Sequence, residues 1–269
     1  MILVKTAADF RHEAWEALRG KWLLAARACL VLALVDLAIS ILMTFAPAQT
    51  RTFLIDGQYV AIPIRGNIYT LVETYPLLAL FYLALYGLQP ALEIGLMRFF
   101  IRLWAGDTPV PSATVFSGFS QFWRALWLYV LMAVKVFLWS LLFVIPGIVA
   151  AFRYQLAPYL MAEHPDITAS QAISESSRLM EGHKWRLFCL SFSFIGWLLL
   201  GALITLGLAY LSPIVAVLIS AAYSLFFLTP YLNTALAAFY RDRVPQPSGG
   251  PDHAGPTQDD PEDPWHTAQ

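Results

Sequence analysis

Tyr86-Gly87-Leu88-Gln89-Pro90-Ala91-Leu92, Tyr154-Gln155-Leu156-Ala157-Pro158-Tyr159-Leu160 and Phe226-Phe227-Leu228-Thr229-Pro230-Tyr231-Leu232 follow one pattern, aromatic-x-Leu-x-Pro-x-Leu. Each copy lies inside a long apolar run. Each is preceded by another apolar run that opens at a tryptophan: Trp22, Trp123 and Trp185. The pattern reads as three copies of one unit, an amphipathic helix followed by two membrane helices.

Composition supports that reading. Of the 269 residues, 58% are hydrophobic and 13% charged, whereas a soluble domain carries about 25% charged residues. So little polar surface cannot coat a globule in water, and an integral membrane protein is expected. The net charge of -1 argues against a nucleic-acid partner, which requires a basic face. Cys29 and Cys189 both fall in apolar runs without a pairing motif and read as packing residues.

Working outward, Thr6 with Asp9 three residues later is a helix-start box, and Phe10, Ala14, Ala17 and Leu18 recur at helical spacing. Residues 6–20 therefore read as an interfacial helix. The run from Trp22 to about Ala46 is too long for a signal-peptide core and is expected to remain as the first span. Residues 47–74 alternate polar and apolar residues around Asp56-Gly57, the signal for a small β-hairpin. The second span is expected from Tyr75 to Phe100. A second amphipathic helix is expected over 112–122, with Val115, Phe116, Phe119 and Phe122 on one face. The third span opens at Trp123 and reverses at Ile145-Pro146-Gly147. A short fourth span follows over about 148–163, with a re-entrant segment or a kinked continuation of the third span as the alternatives. Thr168 with Gln171 repeats the start box, and Ala169, Ala172, Ile173, Ser176 and Met180 form an apolar stripe. The fifth span opens at Trp185, the chain reverses at Ser212-Pro213, and the sixth span runs to about Tyr240.

The expected fold is thus all-α, with six transmembrane helices in three repeated hairpins, each preceded by a cytoplasmic amphipathic helix. One membrane domain covers 1–243, with units at about 6–105, 110–163 and 166–243. A tail rich in Pro, Gly, Asp and Gln over 244–269 reads as disordered. Lys and Arg near the span ends gather on one side, with only Arg51 and Arg65 on the other. Both termini are therefore expected in the cytoplasm and the 47–74 loop outside.

No enzyme signature is found. His12-Glu13 continues to Ala14-Trp15 and is not a zinc-protease motif, and no phosphate-cradling loop or GxSxG occurs. No metal or cofactor is expected. The informative residues are polar groups where lipid should be. Asp36 and Lys135 lie roughly 21 and 18 Å along their helices from Trp22 and Trp123, at about 1.5 Å per residue. A charge at mid-bilayer costs at least about 2.5–3.5 kcal/mol, so such residues pair or line a cavity. An Asp36–Lys135 ion pair is the expectation, with Glu93 and Arg153 as candidates to join it. A structural staple, a solvated path and a ligand contact all stay open as its role. Pro90, Pro158 and Pro230 each remove a helical hydrogen bond, and interrupted helices at matching repeat positions point to binding sites in transporters. Gln89, Glu93, Gln155, Thr229 and Asn233 surround these kinks. Prolines that only shape the helices for packing are the alternative. Gly196, Gly201 and Gly207 are expected to allow close helix contact.

Ser177-Arg178-Leu179-Met180-Glu181-Gly182-His183-Lys184-Trp185-Arg186-Leu187-Phe188, Ser193-Phe194-Ile195-Gly196-Trp197 and Pro230-Tyr231-Leu232-Asn233-Thr234-Ala235 resemble a bacterial membrane-protein family. That family is catalogued as domain of unknown function 975 and occurs mostly in Gram-positive bacteria. Ile145-Pro146-Gly147-Ile148, Arg153-Tyr154 and Ala162-Glu163-His164-Pro165 fit it too. The resemblance spans about 8–243 and implies a multi-pass protein of the bacterial cell membrane. It carries over no catalytic residue. The layout is more loosely similar to the membrane domain attached to some glycerophosphodiester phosphodiesterases, but the chain has no room for their catalytic barrel. Two functions remain: a non-enzymatic membrane module that binds lipid or an unidentified partner protein, and a small-solute or lipid transporter with a mid-membrane polar site.

Overall fold

A computed structural model describes residues 5–44, 49–55, 58–64, 72–107, 110–210 and 212–244. Helix α1 is Ala7–Leu18, started by the Thr6–Asp9 capping box, with Phe10, Ala14 and Leu18 buried. Gly20, at φ 75°, turns the chain into α2, Trp22–Thr44. That left-handed conformation suits glycine, which has no Cβ to clash. Two strands follow, β1 at Gln49–Ile55 and β2 at Gln58–Ile64, antiparallel with Ile55 opposite Gln58. The hairpin expected in the loop is therefore formed, while its Asp56-Gly57 turn lies outside the described residues. So does the tail from 245 onward.

Helix α3, Pro76–Trp104, carries Pro90 inside it. Its two halves differ. Before Pro90, Leu77, Leu80, Phe81 and Tyr86 are exposed; after it, Ala91, Leu92, Ile94, Leu96, Phe99 and Phe100 are buried. The chain then forms a 3-10 segment, Ser112–Gln121, and α4, Phe122–Leu142. The expected amphipathic α-helix is thus a 3-10 helix, and its pattern shifts accordingly. Three residues per turn eclipse positions i and i+3, so Val115, Gly118 and Gln121 face inward while Phe116 and Phe119 stay exposed. Two glycines explain the tighter winding. A Cβ on Gly95 would meet the Val115 carbonyl oxygen at 1.8 Å, and one on Gly118 would meet the Ala91 carbonyl oxygen at 1.8 Å. The 3-10 segment and α3 touch backbone to backbone.

Helix α5 is Val144–Tyr154 and α6 is Ala157–Glu163. The chain reverses at Phe143, which is extended (φ -161°, ψ 153°), and not at the expected Ile145-Pro146-Gly147. Pro146 instead occupies the first turn of α5, where its missing N–H would have had no helical partner. Gly147 lets the arms close, since a Cβ there would meet the Ser140 hydroxyl at 2.0 Å. Helix α7, Ala169–Leu179, starts with the Thr168–Gln171 capping box and buries Ala169, Ala172, Ile173 and Ser176. Gly182, at φ 74°, precedes α8, Lys184–Ser193, as Gly20 precedes α2. Helix α9, Ile195–Ala209, follows directly. Helix α10, Pro213–Tyr223, opens after the extended Ser212 at the expected reversal and passes through a π-helical turn, Ser224–Leu228, into α11, Thr229–Arg243.

Among the described residues, four helical stretches are long and apolar enough to cross a membrane: Trp22–Leu42, Pro76–Trp104, Ser112–Leu142 and Lys184–Ala209. Helix α2 packs on α3, α4 on α5, and α9 on α10. The core lies at the basic end of these pairs. There the post-proline stretches meet: α3 packs on both α6 and α11, and Tyr159 stacks on Tyr240 at 5.6 Å between centroids. Helix α1 closes the ring by packing on α11, with Phe10 edge-on to Phe239 at 5.4 Å.

Of the glycines expected to mediate helix contact, only Gly201 does so, against the Tyr223 ring; a Cβ on Gly196 or Gly207 would meet nothing within 4 Å. Gly95→Val and Gly118→Val should each cost about 1–3 kcal/mol through forced backbone separation, read as a lower thermal unfolding midpoint in detergent. Gly196→Ala and Gly207→Ala should leave the midpoint unchanged or raise it.

Candidate functional site

The polar residues read as candidates divide into two groups. Asp36 on α2 accepts a hydrogen bond from the Gln89 side-chain amide on α3. Glu93, one turn beyond Gln89, interacts with the Tyr129 hydroxyl of α4 and is close enough to Asp36 for the two carboxylates to repel. Asp36 and Glu93 line a cavity of about 580 Å³ between α2, α3 and the α10–α11 arm. Ser40, Ser224, Thr229 and Asn233 add hydroxyl and amide groups to its wall. Thr229 and Pro230 follow the π-helical turn, so that irregular backbone forms one side of the cavity. Pro90 lies between Gln89 and Glu93.

Lys135 and Arg153 belong elsewhere. The Lys135 ammonium lies over the Tyr154 ring, 5.8 Å from its centroid. The expected Asp36–Lys135 ion pair is not formed, because each residue has a nearer partner: an amide for the carboxylate and an aromatic face for the ammonium, an arrangement attractive in its own right. Similar depth did not bring the two charges together, because depth along a helix does not fix the direction a residue faces. The Arg153 carbonyl accepts from the Ser176 hydroxyl at 2.8 Å, and that hydroxyl accepts from the Leu156 N–H at 3.2 Å. Ser176 thus spans the break between α5 and α6 that precedes Pro158. Pro158 does not line the cavity, and neither does Gln155.

The sequence named Gln89, Glu93, Thr229 and Asn233 near the kinks but not Tyr129, Ser40 or Ser224. An aromatic hydroxyl or a serine in an apolar run gives no sign of the side it faces. Among the described residues no group of three or more His, Cys, Asp or Glu side chains could hold a metal ion.

The basic end is bound by charge and backbone together. Arg98 donates to the Ala162 carbonyl at 2.6 Å and to the Ser117 hydroxyl at 2.8 Å. Glu163 accepts from the Tyr240 hydroxyl at 2.6 Å and pairs with Arg241 at 2.7 Å. Arg186 donates to the Lys5 carbonyl and lies 3.9 Å from Asp242. His183 sits beside this group, and its pKa is pushed below the usual imidazole value, first by burial and then by Arg243; Arg186 adds to the push, while the Gly182 backbone and Asp242 oppose it.

These features define a helical protein with four apolar helices long enough to span a membrane, among the described residues, and a polar cavity between its first and last helix pairs. A family model described as protein of unknown function (DUF975) matches residues 1–151 and 141–244, and the chain belongs to that family. No curated protein and no solved structure matches it.

Two measurements check this geometry. In a double-mutant cycle on thermal stability, Asp36→Asn and Lys135→Met should be additive within about 0.5 kcal/mol, while Asp36→Asn and Gln89→Ala should couple by about 0.5–3 kcal/mol. Because the folded His183 binds a proton less readily than the unfolded one, its contribution is intact above about pH 6.5 and is lost as pH falls through the lower folded value. Detergent-solubilised protein should therefore melt earlier as pH drops below about 6.5, and His183→Asn should blunt that dependence.

Proposed function

We propose that the chain is a six-span, non-enzymatic module of the bacterial cell membrane, built as three hairpins each led by a cytoplasmic interfacial segment, and that its function is to bind lipid. The observation that carries this reading is the outward surface. Helix α9 buries no residue at all, and Leu77, Phe137, Leu141, Phe143, Ile145 and Leu203 are all exposed. Apolar area this extensive around the molecule is stable only in contact with something equally apolar. At the basic end Trp123, Trp185 and Trp15 are exposed beside arginines and lysines, the composition of a headgroup belt. Six spans follow if α5–α6 and α10–α11 cross the bilayer as α4 and α9 do. The basic end is then cytoplasmic, and an unidentified protein partner would meet the molecule there.

A small-solute or lipid transporter is the second reading. The cavity favours it, since it places two carboxylates at mid-span beside an interrupted helix.

The two readings separate by thiol labelling in membranes, after Cys29 and Cys189 are replaced. Single cysteines at Gln58, Phe143 and Tyr210 should react with an impermeant reagent from outside only, and one at Arg19 from inside only. Inside labelling of Phe143→Cys sinks the six-span arrangement. A cysteine at Asp36 should stay unlabelled from both faces in the module; labelling there from either face moves transport to first place.

A further inference from the structure

A second recess, of about 610 Å³, lies at the basic end where the 3-10 segment runs into α4. Gln121, Trp123 and the charged Arg124 and Asp166 are among the residues that line it. Gln121 is only 6% exposed. Its side-chain nitrogen donates to the Met161 carbonyl at 3.3 Å, which fixes the amide orientation, because only the nitrogen can donate. Its carbonyl oxygen is shut off from solvent and has no partner among the described residues, so it is not presented to the recess. Arg124 donates one N–H to the Pro165 carbonyl at 2.7 Å, and its others have no hydrogen bond among the described residues. Asp166 is exposed and forms no ion pair among the described residues. Trp123, 77% exposed, opens the apolar α4 and marks headgroup depth.

We propose that this recess binds the zwitterionic headgroup of a phosphoethanolamine lipid, a step that deepens the lipid-binding reading above and rests on it. Charge complementarity selects the headgroup. A phosphate satisfies the free N–H groups of Arg124. A primary ammonium donates to the Asp166 carboxylate. A choline headgroup carries the same charges but has no N–H, so it cannot donate a hydrogen bond to that carboxylate. A glycerol headgroup satisfies the arginine and can donate O–H groups to the carboxylate, but it brings no positive charge to neutralise it. The acyl chains run along the exposed apolar face of α4 that starts at Trp123 and Trp127.

The test is lipid retention by the purified full chain in detergent, read by native mass spectrometry with equal amounts of dioleoyl phosphatidylethanolamine, phosphatidylcholine and phosphatidylglycerol added. Phosphatidylethanolamine should be retained roughly tenfold over phosphatidylcholine, the scale of one charged hydrogen bond. Asp166→Asn should bring it down to the phosphatidylcholine level. Arg124→Gln should weaken all three lipids. Asp166 lies on an exposed turn, so D166N should keep the wild-type unfolding midpoint and read binding alone. Equal retention of the ethanolamine and choline lipids, preference for phosphatidylglycerol, or an inert D166N each overturns the headgroup assignment while leaving lipid binding standing. Retention of no lipid by the wild-type chain overturns both.

Discussion

The structure depends on three helices changing their surroundings at a proline. Before Pro90, the α3 surface is lipid-like and exposed; after it, most side chains are buried. The stretches after Pro158 and Pro230 are buried in the same way. A proline inside a helix leaves carbonyl groups without their usual donor, and such groups are tolerated in a membrane protein only where other groups satisfy them. The chain handles each proline differently. Pro90 is carried within a continuous helix. Pro230 follows a π-helical turn, and the Asn233 and Thr234 side chains donate back to the Thr229 and Pro230 carbonyls at 2.8 Å. Pro158 follows a true break, and Ser176 from another helix bridges it.

That last contact explains why an interfacial helix belongs to the fold rather than decorating it. Helix α7 is short and weakly apolar, yet it brings one fully buried hydroxyl to the two backbone groups that the α5–α6 break leaves open. The 3-10 segment serves the middle of α3 in a related way, through the facing glycines 95 and 118. Packing at the basic end is therefore backbone-limited: the elements lie as near as their main chains permit, and side-chain volume cannot be added there without separating them.

Much of this was legible in the sequence. Both capping boxes, the buried stripe of α7, the hairpin loop and the polar residues near Pro90 and Pro230 follow from spacing alone. What failed did so for identifiable reasons. The Asp36–Lys135 pair was inferred from depth, but successive helical residues point about 100° apart and depth carries no azimuth. The 112–122 segment has a helical apolar period on paper, and only the approach of α3 selects three residues per turn over 3.6. Gly95 and Gly118 gave no signal because glycine reads the same in a loose turn and in a backbone contact. The Ser40, Ser224 and Tyr129 contributions to the polar region depend on which way three helices rotate.

The packing of α1 on α11 has a consequence for the order of synthesis. Helix α1 buries Phe10, Ala14 and Leu18, with Phe10 against Phe239 of α11, a helix made long after it. Helix α1 also touches α3 and α8, but its most extensive packing is on α11, and until that helix is in place part of the stripe lacks its cover. The contact between α1 and α11 joins the two ends of the described chain, so the fold closes on itself only when both are present.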